Sequence, residues 1–205
     1  MLARSTTAAT DRGEITRRHI LNTAALAFAD NGYNGVSLND IVRDTGLTKG
    51  AFYFHFASKE ALALEVFSTK QLDWQAVIGE RMAQHTRAID RLNAMLDCGC
   101  EMYETDASAR VVGRLCVELS RERKLAPRLT SYLQVWFEMA ADLVRAAQEE
   151  GDARRDIDPR TTAETIVSAF IGVEQVSDAL TELGDFRQRI ENLRTLVMAA
   201  LRPCP

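Results

Sequence analysis

The chain has 205 residues, of which 46% are hydrophobic and 26% charged, and this length and composition allow a sizeable core in one domain or two. A formal net charge of −4 excludes a general polycation that coats nucleic acid, so any contact with DNA must come from a local patch. The sequence has no run of about 18 or more apolar residues, and its polar start lacks the apolar segment of a secretory signal. We therefore expect a cytoplasmic chain with no membrane partner.

The first predicted helix follows a flexible N-terminal arm. Residues 1–11 are rich in Ser, Thr and Ala, a composition that favours disorder at a chain end. Asp11 and Glu14 then resemble a capping box that begins a helix, and Asn31-Gly32 is typical of a helix end. The apolar positions that share the inward face of this helix include Ile20, Ala24 and Phe28.

Residues 37–47 predict a short helix that ends in a rigid turn. Ser37 can cap free backbone amides, and Asp40 lies three residues later, as in a capping box. Gly46 tolerates the left-handed backbone of a sharp turn, while Leu47 can pack into the core and fix the angle to the next helix. The pattern therefore predicts two helices held at a defined angle.

The next helix, which Thr48 can cap, has two different faces. Phe52 and Phe56 are four residues apart and share the inward face, whereas Lys49 and Tyr53 share the outward one. The small residues near its start, Gly50 and Ala51, would let the backbone approach phosphates or base edges closely. Ser58 can cap a third helix, with Lys59 at its beginning.

The string from Leu47 to Phe56, LTKGAFYFHF, followed by Ser58-Lys59-Glu60, closely resembles the helix-turn-helix of TetR-family transcriptional regulators. Together with the preceding helix, the resemblance covers residues 12–65. It implies that three residues approach bases: Lys49, Gly50 and Ala51. It also implies that five residues hold phosphates: Ser37, Thr48, Tyr53, His55 and Lys59.

Two of these residues also have structural interpretations. His55 could cap the end of its helix, and Tyr53 could be a half-buried packing aromatic with its hydroxyl in water. We interpret Phe52 and Phe56 as core residues with no DNA role. The segment through Phe56 is close to electrically neutral, so we expect modest affinity for each half-site and a need for dimerisation.

The remainder of the chain is predicted to be helical throughout. The helix after Ser58 continues toward Met82, and coarse patterns predict further helices over 91–103, 109–121 and 127–150. The last two helices, about 159–183 and 186–201, carry apolar residues on more than one face of the first and along one stripe of the second. We infer that two copies of this pair form a four-helix homodimer interface.

Trp136 lies in an otherwise aliphatic stripe, where it is either plain core or the wall of an apolar pocket. The stretch 136–158 resembles the corresponding part of the γ-butyrolactone receptor subgroup of the TetR family, which carries a tryptophan in its ligand pocket. That resemblance implies that Trp136 stacks against a small autoregulatory lactone.

The four cysteines, which include Cys98, Cys100 and Cys204, do not suggest a metal site. Cys98 and Cys100 are two residues apart on a predicted helix and so point to different sides, which favours reduced, partly buried thiols. The three histidines lie in unrelated segments, without a nucleophile and base or a phosphate loop. We therefore predict no cofactor, no metal ligand and no catalytic residue, and an all-helical enzyme is the disfavoured alternative.

These observations together predict an all-α fold with three parts. Residues 1–11 would be the arm, residues 12–58 a three-helix DNA-binding domain with the helix-turn-helix, and residues 59–205 a larger helical domain for effector binding and dimerisation. The expected function is that of a repressor released from palindromic, double-stranded operator DNA by a small hydrophobic effector. A multidrug-sensing repressor is an alternative, in which Glu118 or Glu138 would be a buried acid facing the cavity.

Overall fold

The structure is a computed structural model that describes residues 3–203, with side chains from residue 12 onward. The regular structure in this range is helical, with no strand, as the all-α prediction required. The helices are α1 (Ala3–Gly35), α2 (Leu38–Asp44), α3 (Lys49–His55), α4 (Lys59–Met82), α5 (Ala88–Thr105), α6 (Arg110–Ser120), α7 (Ala126–Glu150), α8 (Pro159–Thr181) and α9 (Phe186–Leu201). A 3-10 turn at Ala107–Ala109 precedes α6. Cys204 lies outside the described residues.

The start of α1 differs from the prediction, whereas its end agrees. The helix begins at Ala3, so Asp11 and Glu14 lie within it and do not cap its first turn. Helix α1 extends through the segment predicted as a flexible arm, although Ser and Thr, which are weak helix formers, are frequent there. The regular helix is broken at Gly32, where φ is 72° and ψ is 173°, which confirms the end predicted there.

The chain divides into two compact units. The first contains the described residues up to Lys70 together with Ala107–Ala126, and the second contains Gln71–Asp106 and the described residues from Pro127 onward. Helix α6 therefore belongs to the unit that holds the helix-turn-helix, where it packs against α1. The functional boundary between residues 58 and 59 stays a prediction, but the compact unit extends beyond it.

The core of the first unit forms along the inward face of α1. Ile20, Ala24 and Phe28 are completely buried, which confirms the predicted apolar face. Ile41 and Val42 of α2 are buried as well, so the short second helix is held by apolar packing and by its cap.

The second unit is built around the packing of α8 against α9 and of α5 against α9. Gly99 of α5 lies so close to Phe170 of α8 that a Cβ atom at residue 99 would be 2.9 Å from the ring atom Cζ. Phe170 also contacts Phe186 of α9, with 5.8 Å between the ring centroids. Cys98 and Cys100 are buried free thiols, and burial raises the pKa of Cys100 to about 11.

Asp185 joins the end of α8 to the start of α9. Its carboxylate accepts hydrogen bonds from Ser177 Oγ at 2.6 Å and Thr181 Oγ1 at 2.8 Å, both in α8, and from Arg189 Nε at 2.7 Å in α9. These donors, of which Ser177 contributes most, lower the pKa of Asp185 to about 2. A carboxylate with a lowered pKa stabilises the folded state only while it is ionised.

We predict that Asp185→Asn lowers the midpoint of urea unfolding near neutral pH, because the neutral amide is a weaker acceptor for three donors. The difference from the wild type should shrink as the pH falls from the ordinary pKa of 3.8 toward about 2, where the native carboxylate gains a proton. Circular dichroism measures both midpoints. Asp73→Asn, which removes an exposed carboxylate from α4, is the control and should leave the midpoint unchanged; an equal effect of both variants would contradict the assignment.

Candidate DNA-binding site

The predicted capping box at the start of α2 is present. Ser37 Oγ accepts a hydrogen bond from the Asp40 backbone N–H at 3.2 Å, and the Asp40 carboxylate accepts one from the Ser37 backbone N–H at 3.2 Å. Hydrogen bonds from Ser37 lower the pKa of Asp40. Ser37 remains exposed, and its hydroxyl donates to the Asp40 carboxylate at 2.5 Å.

The turn between α2 and α3 is fixed from inside the first unit. Gly46 has a φ of 68°, the left-handed conformation that the sequence predicted for this position. Thr45 is buried, its hydroxyl donates to the Val42 carbonyl at 2.7 Å, and its own carbonyl lies 2.9 Å from His19 Nε2 in α1. The angle between the two short helices is therefore set by hydrogen bonds as well as by packing.

Helix α3 has the two faces that the sequence predicted. Thr48 caps it by accepting a hydrogen bond from the Ala51 backbone N–H at 3.3 Å. Phe52 and Phe56 are buried, at 0% and 2% exposed. Thr48, Lys49, Gly50, Ala51 and Tyr53 are all exposed, and a Cβ atom at Gly50 would meet nothing within 4 Å. These five predicted residues are therefore all accessible on the exposed side of α3.

His55 and Lys59 are less accessible than the other predicted residues. His55 is half-buried at the end of α3, with its ring edge-on to Phe54. The Lys59 ammonium lies 4.3 Å from the centroid of the Tyr33 ring, and burial lowers its pKa against the opposing influence of Glu118. Lys59 would have to leave this ring to bind a phosphate.

Arg17 of α1 holds the C-terminal end of α3, a role that sequence reasoning missed. One of its guanidinium nitrogens donates to the His55 carbonyl at 3.3 Å, and another is bonded to the Glu65 carboxylate. The guanidinium also lies 4.6 Å from the centroid of the Phe56 ring. Arg17 therefore connects α1, α3 and α4 at one point.

Glu118 of α6 is not the cavity acid that the multidrug alternative required. Its carboxylate accepts hydrogen bonds from the Asn34 backbone N–H at 2.9 Å and from Asn34 Nδ2 at 3.2 Å. It lies beside Gly32, where a Cβ atom would be 2.3 Å from Oε1. Glu138 of α7 is exposed and therefore is not a buried acid either. Both assignments are wrong, because one side chain anchors the end of α1 and the other faces solvent.

Phe54 is a surface feature of α3 that the sequence analysis left without a role. Its side chain is 84% exposed, the most exposed of the large hydrophobic residues described. Residue 54 comes four residues after Gly50, so both lie on the same side of the helix. An exposed phenyl ring there can make apolar contact with a thymine methyl group in a major groove; this helical spacing was the signal available in the sequence.

The exposed side of α2 and α3 carries little positive charge. Arg43 of α2 is exposed but pairs with Asp40 at 3.0 Å and with Asp44 at 3.2 Å. Lys49 extends from the start of α3, where the first-turn amides also favour an anion. The charged residues of α2 and α3, which are Arg43 and Lys49 against Asp40 and Asp44, therefore sum to no net charge.

The comparisons with known proteins agree with this geometry. The sequence model of bacterial regulatory proteins of the tetR family matches residues 20–66. The solved structure of full-length TylP, a TetR regulator from Streptomyces fradiae, covers 93% of this chain and 88% of its own, with 30% identity and a TM-score of 0.74. This chain belongs to the TetR family of transcriptional regulators.

Two further proteins are similar to this TetR-family chain over most of its length. A solved structure described as the molecular basis for control of antibiotic production by bacterial hormones is 33% identical, covers 91% of this chain and 97% of its own, and has a TM-score of 0.79. The A-factor receptor protein of Streptomyces griseus is 30% identical over 186 residues, which is 87% of this chain but 60% of that protein. These similarities support the resemblance to the γ-butyrolactone receptor subgroup. They do not fit the enzyme alternative.

We predict that Lys49→Ala weakens specific operator binding by about 1–3 kcal/mol, the usual cost of losing one base contact, without unfolding the TetR-family fold. Lys49 is exposed, so its loss removes no core packing. Gel-shift titration measures the affinity, and circular dichroism verifies the fold. The control is Arg155→Ala, which removes an exposed positive charge from the second unit. Equal affinities of Lys49→Ala and Arg155→Ala would contradict the assignment of Lys49.

Proposed function

We propose that this protein is a dimeric repressor that reads a palindromic operator with α3 of each subunit. The observation that supports this function most strongly is the exposed face of α3, which is held outward by the burial of Phe52 and Phe56 on its opposite side. In a symmetric dimer the two α3 helices would enter successive major grooves, about 34–36 Å apart.

The proposed contacts follow the exposed face. The residues near base edges are Lys49, Gly50 and Ala51. The residues near phosphates are Ser37, Thr48, Tyr53, His55 and Lys59. Tyr53 is 44% exposed, so its hydroxyl can donate to a phosphate while its ring packs edge-on against Phe52, which supports the DNA role over pure packing.

Two subunits are required because the exposed side of a single α3 helix is small and weakly charged. When two subunits are joined in a dimer, binding of the second half-site becomes intramolecular once the first is bound. The affinity of the dimer for the whole operator then rises without any new contact. TetR-family regulators act as dimers. A dimeric regulator of operator DNA would act in the cytoplasm, and no helix in the described part of the chain is long and apolar enough to cross a membrane.

The proposed dimer surface lies on α8 and α9, as the sequence analysis expected for about 159–183 and 186–201. Leu180 of α8 and Leu196 of α9 are each 69% exposed, and Val176 lies one helical turn before Leu180 and is also exposed. Ala163 and Ile166 of the same α8 are buried, so one side of this helix fills the core of the second unit. Large exposed apolar groups on a helix pair favour an interface between two copies.

The proposed effector is a small hydrophobic molecule of the lactone type that binds within the second unit. Trp136 of α7 is buried there, and its indole N–H donates to the Gln71 side chain of α4. Its ring remains the proposed stacking surface. The effector would bind a conformation in which the two α3 helices are not spaced for the operator more tightly than the DNA-bound conformation. A preference of about 1–3 kcal/mol for that conformation would release the operator.

The multidrug-sensing alternative now depends on a different acid. Glu174 of α8 is almost completely buried, unlike Glu118 and Glu138, and a buried carboxylate favours a cationic ligand. A titration panel of lipophilic cations and γ-lactones, followed by operator release, separates the two ligand classes.

The function is tested by incubating the purified protein with a library of random double-stranded DNA and sequencing the retained fragments. We expect an inverted repeat whose half-site centres are about one or more helical turns apart. Retained fragments without a shared inverted repeat would contradict the proposal. The enriched duplex then serves as the operator probe in the other experiments.

We predict that Leu180→Glu combined with Leu196→Glu converts the dimer into a monomer, because two charges from each subunit would have to be desolvated in the interface. Light scattering measures the mass, and gel shift with the enriched duplex should show a loss of the dimer complex. Leu72→Glu, at an exposed position of α4 in the second unit, is the matched control and should stay dimeric. A dimeric mass for the double variant would rule out this interface.

A further inference from the structure

The two tryptophans of the chain differ in the state of their indole N–H groups. Trp136 donates to Gln71 Oε1, and both residues are buried. Trp74 of α4 is only 6% exposed, yet its Nε1 has no hydrogen-bond acceptor among the described residues. One buried donor is therefore satisfied, and the other is not.

An unsatisfied buried N–H is unusual because its desolvation is not repaid by a new hydrogen bond. The ring of Trp74 packs edge-on against Tyr103 of α5, at 5.3 Å between centroids and an interplanar angle of 78°. An aromatic face is a much weaker acceptor than a carbonyl oxygen. The N–H of Trp74 would therefore gain more from a ligand oxygen than from this neighbour.

Trp74 is a neighbour on α4 of Gln71, the residue that binds the indole N–H of Trp136. Gln71 and Trp74 are three residues apart on α4, so they are neighbours on one face of that helix. Gln71 contacts Trp136, the proposed stacking residue. The ring of Tyr103 also contacts the ring of Phe186, with 4.9 Å between their centroids. Trp74 therefore lies against an aromatic cluster, and its indole N–H has no acceptor among the described residues.

We propose that the indole N–H of Trp74 donates a hydrogen bond to the carbonyl oxygen of the effector, and so selects acyl compounds among small hydrophobic molecules. This inference rests on the proposed function, in which a hydrophobic effector binds the second unit. It assigns the two tryptophans different roles: Trp136, with its N–H bound to Gln71, offers a ring surface, and Trp74 offers the polar contact.

The experiment compares two probes by calorimetry, γ-octalactone and 2-butyltetrahydrofuran. The ether has the same ring and tail as the lactone but lacks the carbonyl oxygen. We expect the wild type to bind the lactone about tenfold more tightly than the ether, the difference expected for one good hydrogen bond in a buried site. In Trp74→Phe, which keeps an aromatic ring without the donor, the ratio of the two affinities should fall to about one.

Trp136→Phe is the matched control, because it changes the other tryptophan in the same way. It should weaken binding of both probes while leaving their ratio at about the wild-type value, since its N–H is bonded to Gln71. A ratio that stays the same in Trp74→Phe, or that collapses equally in both variants, would overturn the assignment of Trp74.

A second measurement follows the indole N–H resonances by NMR in the wild-type protein, which has two tryptophans. The Trp74 resonance, assigned from its absence in Trp74→Phe, should lie upfield of the Trp136 resonance in the free protein. The lactone should move it downfield, as a new hydrogen bond requires, and the ether should move it less. A lactone that binds without moving it downfield would refute the proposal.

The outcomes separate this inference from the proposed function. Release of the enriched operator duplex by the lactone, with an unchanged affinity ratio in Trp74→Phe, would overturn the role of Trp74 and leave the regulator in place. If the wild type binds neither probe, both this inference and the lactone class of effector are wrong, while operator binding is judged by the gel shift alone.

Discussion

The burial of Phe52 and Phe56 is the constraint that determines which side of α3 faces solvent. Because these rings occupy the core side of α3, Gly50 and Ala51 on its opposite side are left exposed to solvent. Arg17 strengthens the constraint by bonding the last carbonyl of α3 and covering the ring of Phe56. The orientation of the helix is therefore determined by its buried side, and the chemistry of recognition by its exposed side.

Helix α6 extends the same compact unit from a distant part of the sequence. Glu118 fixes the turn at Asn34, and Arg114 donates to the Asp30 carbonyl at 2.7 Å, so the end of α1 is held on two sides by α6. This turn leads directly into Ser37 and α2. The placement of the helix-turn-helix thus depends on a helix more than eighty residues later, as the separation of 84 between Glu118 and Asn34 shows.

The sequence predicted the features that depend on neighbouring residues. The caps at Ser37 and Thr48, the left-handed Gly46 and the two faces of α3 all follow from local spacing and backbone preference, and the structure confirms them. Contacts between distant residues could not be predicted, because no pattern specifies which helices meet. The role assigned to Glu118 failed for this reason, and the pairing of Trp136 with Gln71, 65 residues apart, was missed for the same reason.

Arg43 of α2 is already paired with two carboxylates before any DNA is bound. A cation already neutralised by Asp40 and Asp44 brings little net charge to the phosphate backbone, and so its arrival displaces few condensed sodium or potassium ions. Arg43 would therefore add little to the salt dependence of operator binding, which Lys49 and Lys59 of the two subunits would set instead.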